Sequence, residues 1–200
     1  MSSAATNRYR ADLRDMKFVL FEQFKLNEIL GKGPFEAWGQ EEVLATLKET
    51  YRLATEVVGP LNASGDREGC RVEGGQVKVP KGFKEAFDKV YESGLKVLSV
   101  SPDHGGQGAP ESVHALVEEM FSGANTAFNM YPSLAFGAAE VVELCGTEAQ
   151  RHKYCEKIYS GKWGGTMCLT EPQAGSDVGS ARSTAKKNAD GTYSIQGTKI

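Results

Sequence analysis

The sequence predicts an α+β protein, with an all-α N-terminal domain followed by the start of an antiparallel β-domain. Two observations carry this. Apolar residues recur at helical spacing through most of the chain up to Tyr159, and after Lys162 the pattern changes to turns and short alternation. A third bounds the class: 40% apolar residues suffice for a core and 24% charged is ordinary, which excludes a disordered or fibrous chain. The 200 residues divide as an N-terminal helical extension (1–35), a helical domain (36–160) and the beginning of a β-domain (161–200).

The elements follow in order. From Tyr9 to Leu30, Leu13, Met16, Leu20 and Phe24 step at helical intervals, and Phe18 and Phe21 widen the stripe into a core-facing surface. Gly31, Gly33 and Pro34 end it. A second helix over Gln40–Val58 carries Leu44, Leu47, Tyr51, Ala54 and Val58, and Gly59-Pro60 stops it. Residues 61–80 read as a polar, glycine-rich connection with one extended piece at Gln76–Val79. A third helix follows Pro80 with Phe83, Phe87 and Val90, and the loop SPDHGGQGAP comes next. Pro110-Glu111 opens a helix bearing Val113, Leu116, Val117 and Met120. Residues 125–145 are helical around Tyr131-Pro132, and Thr147 with Gln150 forms a capping box for a helix that reaches Tyr159. Then WGGTMCLT reads as a strand and EPQAGSD as a turn. Alternation at Ala181, Ser183 and Ala185, a turn at Asn188–Gly191 and TYSIQ complete the pattern. Ending in mid-pattern at Ile200, the chain is expected to be the first part of something longer.

Several chemistries are excluded. Net charge is −3, too balanced for a nucleic-acid or anionic-membrane partner. No apolar run approaches the ~18 residues of a membrane span, and MSSAATNRYR lacks the apolar core of a secretory leader, so the expected setting is cytoplasmic. Cys70, Cys145, Cys155 and Cys168 contain no CxxC pair, and His104, His114 and His152 lack metal-ligand spacing. There is no P-loop, nucleophile elbow or dinucleotide fingerprint, and the glycines of Gly105–Gly108 serve a tight interhelical turn better than a phosphate.

The segment Met167–Ser180 stands apart. It breaks sharply at Glu171-Pro172 and gathers threonine, glycine, serine and aspartate into a few residues. Such a turn brings backbone N–H groups and hydroxyls close to a flat or phosphorylated ligand, although a plain structural turn fits the pattern equally. CLTEPQAGSDVGS at 168–180 resembles the signature of acyl-CoA dehydrogenases at every fixed position. SPDHGGQGAP resembles that family's proline-acid-glycine loop, GTEAQRHKYCEKIYSGKW its helix before the β-domain, and TYSIQGTKI its approach to the flavin-contacting strand. His104 stands where the family more often has an aromatic residue. The leader YRADLRDMKFVLFEQF and the long 61–87 segment resemble a bacterial subgroup with an N-terminal extension, which includes 3-methylmercaptopropionyl-CoA and broad-range fatty acyl-CoA dehydrogenases.

The resemblance implies an acyl-CoA dehydrogenase-like fold whose C-terminal helical domains are absent here. It implies FAD as cofactor, an acyl-CoA substrate, an electron-transfer flavoprotein as acceptor and a homodimer or homotetramer. Met167, Leu169 and Thr170 are expected along the isoalloxazine, Gly175 to permit close approach, and Ser176 to reach the FAD pyrophosphate or the substrate chain. Asp177 is expected to hold the turn. No catalytic residue is assigned, because the family's base is a glutamate of the C-terminal helical domain; Glu171 belongs to the cofactor motif. Residues 1–200 alone are expected not to dehydrogenate, with the stripe at Leu44, Leu47 and Tyr51 left bare. An acyl-CoA oxidase, or a flavin-binding protein of the same fold without activity, are the competing readings.

Overall fold

A computed structural model describes residues 8–200. Residues 1–7, where the predicted extension and the leader reading begin, lie outside the described residues. The chain parts into two compact units, Met1–Gly165 and Thr166–Ile200.

In the helical unit, α1 (Leu13–Lys17) starts at Asp12, whose carboxylate accepts the Arg14 N–H. It runs on as a π-helical turn over Phe18–Gln23 and stops at Lys25, in the left-handed region at φ 53°. The predicted helix to Leu30 is therefore shorter: a 3-10 turn at Leu26–Glu28 replaces its end, and a second follows at Gly33–Phe35. The π turn adds a residue and rotates the apolar stripe. Met16, Leu20, Leu26 and Leu30 are buried and Phe21 packs on them, whereas Phe18 and Phe24 are 51% and 66% exposed, against expectation.

Helix α2 (Gln40–Leu53) continues as a π turn over Ala54–Val58, the predicted span. The Glu42 side chain accepts the Gly39 N–H and fixes its start. Its apolar face packs against α5 (Glu111–Ala124), where Val113, Val117, Met120 and Phe121 are fully buried. This corrects the expectation for the Leu44–Tyr51 stripe: Leu47 is fully buried within the unit, Tyr51 packs on the same core and Leu44 is half-buried. Each such burial is worth about 1.5–3 kcal/mol.

Residues 61–80 also differ from the predicted connection. Helix α3 (Leu61–Glu68) occupies the first half despite Asn62, Ser64 and Gly65, all weak helix formers. Packing decides, because Gly65 lets the Phe83 ring so close that a Cβ there would meet its Cε1 at 2.5 Å. The second half is a hairpin of β1 (Arg71–Glu73) and β2 (Gln76–Lys78), with Val72 opposite Val77. Helix α4 (Phe83–Glu92) follows. In the next loop Gly106 lies against the Val100 carbonyl with no room for a Cβ, and Trp38 Nε1 donates to the Gln107 carbonyl at 2.9 Å. The glycine loop is thus a packing device.

Asn125 caps α6 (Thr126–Cys145), its Oδ1 accepting the Phe128 N–H. Glu118 on α5 clamps α6 on both sides of Pro132, accepting from Asn129 Nδ2 at 3.0 Å and Ser133 Oγ at 2.8 Å while pairing with buried Lys96. Burial pulls Lys96 below the usual lysine range although Glu118 opposes it. Burial works the other way on Glu118, but Lys96 and the two polar donors outweigh it and hold its carboxyl below the usual range. The Thr147–Gln150 box caps α7 (Glu148–Tyr159) as predicted. Val100, Ala135, Ala139, Cys155, Ile158 and Tyr159 form a second apolar cluster. Among the described residues no helix is long and apolar enough to cross a membrane.

The smaller unit holds the antiparallel pair β3 (Thr184–Lys187) and β4 (Tyr193–Gln196), with Ala185 opposite Ile195. The stretch 163–170, read as a strand, joins no ladder among the described residues; one backbone hydrogen bond ties it to the last strand's side, from the Ile200 N–H to the Thr170 carbonyl at 2.9 Å. A strand needs a partner along its length, and one hydrogen bond does not supply it.

Candidate functional site

The turn at 168–180 is organised by one carboxylate. Glu171 is 3% exposed. Its Oε2 accepts the Arg182 N–H and Gln173 Nε2, both at 2.7 Å. Its Oε1 accepts Lys199 Nζ at 2.9 Å and the Ser183 N–H at 3.1 Å. The Arg182 N–H, then Lys199 and Ser183, hold its carboxyl far below the usual carboxylate range. The backbone closes as well: Glu171 and Ala174 exchange both N–H···O bonds at 3.0 Å, which makes EPQA a tight loop. Asp177 holds the next turn, its Oδ2 accepting Ser180 Oγ at 2.5 Å and its carbonyl the Ser180 N–H at 3.1 Å.

The sequence-predicted residues lie along the outside of this loop. Met167 and Leu169 are 60% and 48% exposed, and Thr170, Gly175 and Ser176 are exposed too. The carbonyls of Leu169 and Thr170 are engaged by Lys199 Nζ and the Ile200 N–H. Their N–H groups and the Thr170 hydroxyl engage no protein group among the described residues. A Cβ at Gly175 would meet only Thr170 Cγ2, at 3.9 Å, so nothing within the unit requires glycine there. Consecutive free donors, bare apolar side chains and a glycine with space above it fit a flat, polar-edged group such as a flavin.

Two roles escape the sequence. Lys199 reaches Glu171 across 28 positions, which no local spacing signals. His104 lies 3.8 Å from Glu143 Oε1, while Tyr159 Oη donates to Glu143 Oε2 at 2.6 Å, so an imidazole at 104 faces a carboxylate that a plain aromatic ring would leave unmatched.

The helical arrangement and this turn define a class. The family model described as acyl-CoA dehydrogenase, N-terminal domain, matches residues 40–162, more than half of the chain. The chain belongs to the acyl-CoA dehydrogenase family. It is 38% identical over 192 residues to a 3-methylmercaptopropionyl-CoA dehydrogenase of Ruegeria pomeroyi, covering 96% of this chain and 33% of that one. It is 35% identical over 195 residues to the broad-specificity linear acyl-CoA dehydrogenase FadE5 of Mycobacterium tuberculosis, covering 96% and 32%. Among solved structures, an FAD-complexed acyl-CoA dehydrogenase of Bacillus anthracis superposes with a TM-score of 0.63 at 27% identity, over 82% of this chain and 26% of that one. The butyryl-CoA dehydrogenase of Megasphaera elsdenii, at 24% identity and a TM-score of 0.67 over 82% and 41%, shares the fold. The chain spans about a third of the length of the curated relatives it matches.

Proposed function

We propose that this chain serves FAD-dependent acyl-CoA dehydrogenation, the introduction of an α,β double bond into an acyl-CoA thioester. The observation that carries the reading is the turn at 168–180, whose Leu169 and Thr170 donors are unspent while its carboxylate is locked in place. Bound here, FAD would supply the electron chemistry, the capacity to accept hydride. Main-chain groups of Leu169 and Thr170, with the Thr170 hydroxyl, would hold the ring's polar edge. Met167 and Leu169 would lie along its face, Gly175 would admit its approach, and Ser176 would reach the pyrophosphate or the substrate chain. Donors aimed at an edge that gathers charge contribute about 2–4 kcal/mol each. The α proton goes to a glutamate that this reading puts outside residues 1–200. Glu171 is unsuited to take it, since four donors fill its oxygens and its carboxyl is a weak proton acceptor.

An electron-transfer flavoprotein as acceptor and a homo-oligomer belong to the same reading. A cytoplasmic setting does too, in keeping with four unpaired thiols. Thr170→Val tests the site in the product of the full reading frame. One hydroxyl donor is lost, so FAD affinity is expected to fall about five- to tenfold with melting behaviour of the apoprotein unchanged. Unaltered FAD retention and unaltered flavin reduction in the variant would remove Thr170 from the site.

A further inference from the structure

The peptide group between Leu169 and Thr170 is gripped on one side and open on the other. Its carbonyl accepts Lys199 Nζ at 3.1 Å. Its N–H, on Thr170, meets no protein acceptor among the described residues. A trans peptide is planar, and its C=O and N–H point in opposite directions. The ammonium therefore stands at the tail of a dipole whose head is an unspent donor.

The flanking groups lack this combination. The Thr170 carbonyl accepts the Ile200 N–H at 2.9 Å, but the N–H of that group, on Glu171, is used within the loop on the Ala174 carbonyl at 3.0 Å. The Leu169 N–H belongs to a group whose carbonyl, on Cys168, receives no protein donor among the described residues. Of the three, the Leu169–Thr170 group alone has a charged donor behind it and a free donor in front.

Lys199 is fixed in this position. Glu171 Oε1 accepts the same Nζ at 2.9 Å, and Glu171 is itself held by the Arg182 and Ser183 N–H groups and by Gln173 Nε2. The carboxylate cancels most of the ammonium's field at a distance, because two opposite charges this close act as a dipole. What remains is local. A charge-assisted bond is roughly twice as strong as a neutral one, and it polarises the peptide so that its N–H donates more strongly in turn. An edge that gathers negative charge on reduction draws more from such a donor than the same edge when neutral.

We infer that Lys199 is a positioning residue that acts through the Leu169–Thr170 peptide to favour the reduced form of bound FAD, and so raises its reduction potential. The inference rests on the FAD reading of the 168–180 turn, and it adds a residue that sets the cofactor's oxidising strength from behind the contacting peptide. The product of the full reading frame is loaded with FAD, and its midpoint potential is measured by equilibrium titration against reference dyes. Parent, Lys199→Met, Lys199→Gln and Lys199→Arg are compared. Dissociation constants for oxidised FAD and melting curves of the apoproteins are taken alongside. Glu171 keeps three of its four donors in the neutral variants, so the turn is expected to persist.

Lys199→Met is expected to lower the preference for reduced over oxidised FAD about three- to tenfold, a fall of about 15–30 mV for a two-electron couple. Lys199→Gln, which offers a neutral donor, is expected to fall between the methionine variant and the parent. Lys199→Arg keeps the charge and is expected to recover most of the parent's potential. If the methionine variant does not fold, the glutamine and arginine variants decide by the same ordering. A merely structural lysine would weaken both forms of FAD equally and leave the potential where it was. An unchanged or raised potential in the neutral variants that bind FAD would overturn the proposal. Loss of the fold or of FAD binding in both neutral variants would also overturn it, because the lysine would then be structural. Failure of the FAD reading shows itself separately, as a parent protein that takes up no FAD.

Discussion

Glu171 receives four hydrogen bonds from three later stretches of chain, and this one side chain decides the shape of the turn. Its carboxyl is held below the usual range, so its charge stabilises the folded unit. In the unfolded chain the same group takes up a proton near 4.5, while the folded carboxylate stays ionised. The contribution is therefore complete above that pH and declines as pH falls toward the folded value. Glu171→Gln is expected to lower stability near neutrality and to flatten the acid limb between about pH 5 and pH 2, read from melts of parent and variant. Equal pH slopes in the two proteins would contradict this. At this scale the sequence was partly legible. Small and polar residue types gathered at 168–180 marked a turn by themselves; Met167, Leu169, Thr170, Gly175 and Ser176 were named only through the resemblance of that segment to the family's signature. The Lys199 partnership was not legible, because it depends on how the chain returns from β4.

Among the elements, α5 and α6 are joined by a polar clamp inside an apolar layer. Glu118→Gln leaves the Lys96 ammonium, 2% exposed, without its counter-charge. The expected cost is about 3–5 kcal/mol by chemical denaturation. Replacing both residues with methionine is expected to cost much less, because no charge is then left buried alone. A single variant within about 1 kcal/mol of the parent would mean that Lys96 sheds its proton or finds water. Helix spans with strong periodicity were legible here: α2 with its π turn runs over the predicted Gln40–Val58, and the Thr147–Gln150 box caps α7. Helix α3 was not, since LNASGDRE has poor intrinsic propensity and is held by the Phe83 contact. The π turn at Phe18–Gln23 also escaped, because a period of 3.6 residues cannot foresee an inserted residue.

At the scale of the whole molecule, the uncovered apolar surface of the helical unit is not the α2 stripe that periodicity suggested. It runs along α6, where Met130, Leu134, Val141 and Leu144 recur at heptad-like spacing and are 39–74% exposed. Helix α6 is apolar around most of its circumference, so sequence could not say which side would stay bare. A chain with such a surface, about a third of its relatives' length, is expected not to dehydrogenate acyl-CoA by itself. On the proposed reading, in which the base lies outside residues 1–200, its loss alone removes about 10²–10⁴ in rate. The central claim, FAD-dependent acyl-CoA dehydrogenation, is tested most directly by anaerobic titration of the full reading frame's product with acyl-CoA, beside residues 1–200. The longer product is expected to purify yellow, to bleach with formation of enoyl-CoA, and to regain colour with electron-transfer flavoprotein but not with NAD. A colourless product whose spectrum ignores added FAD would contradict the account.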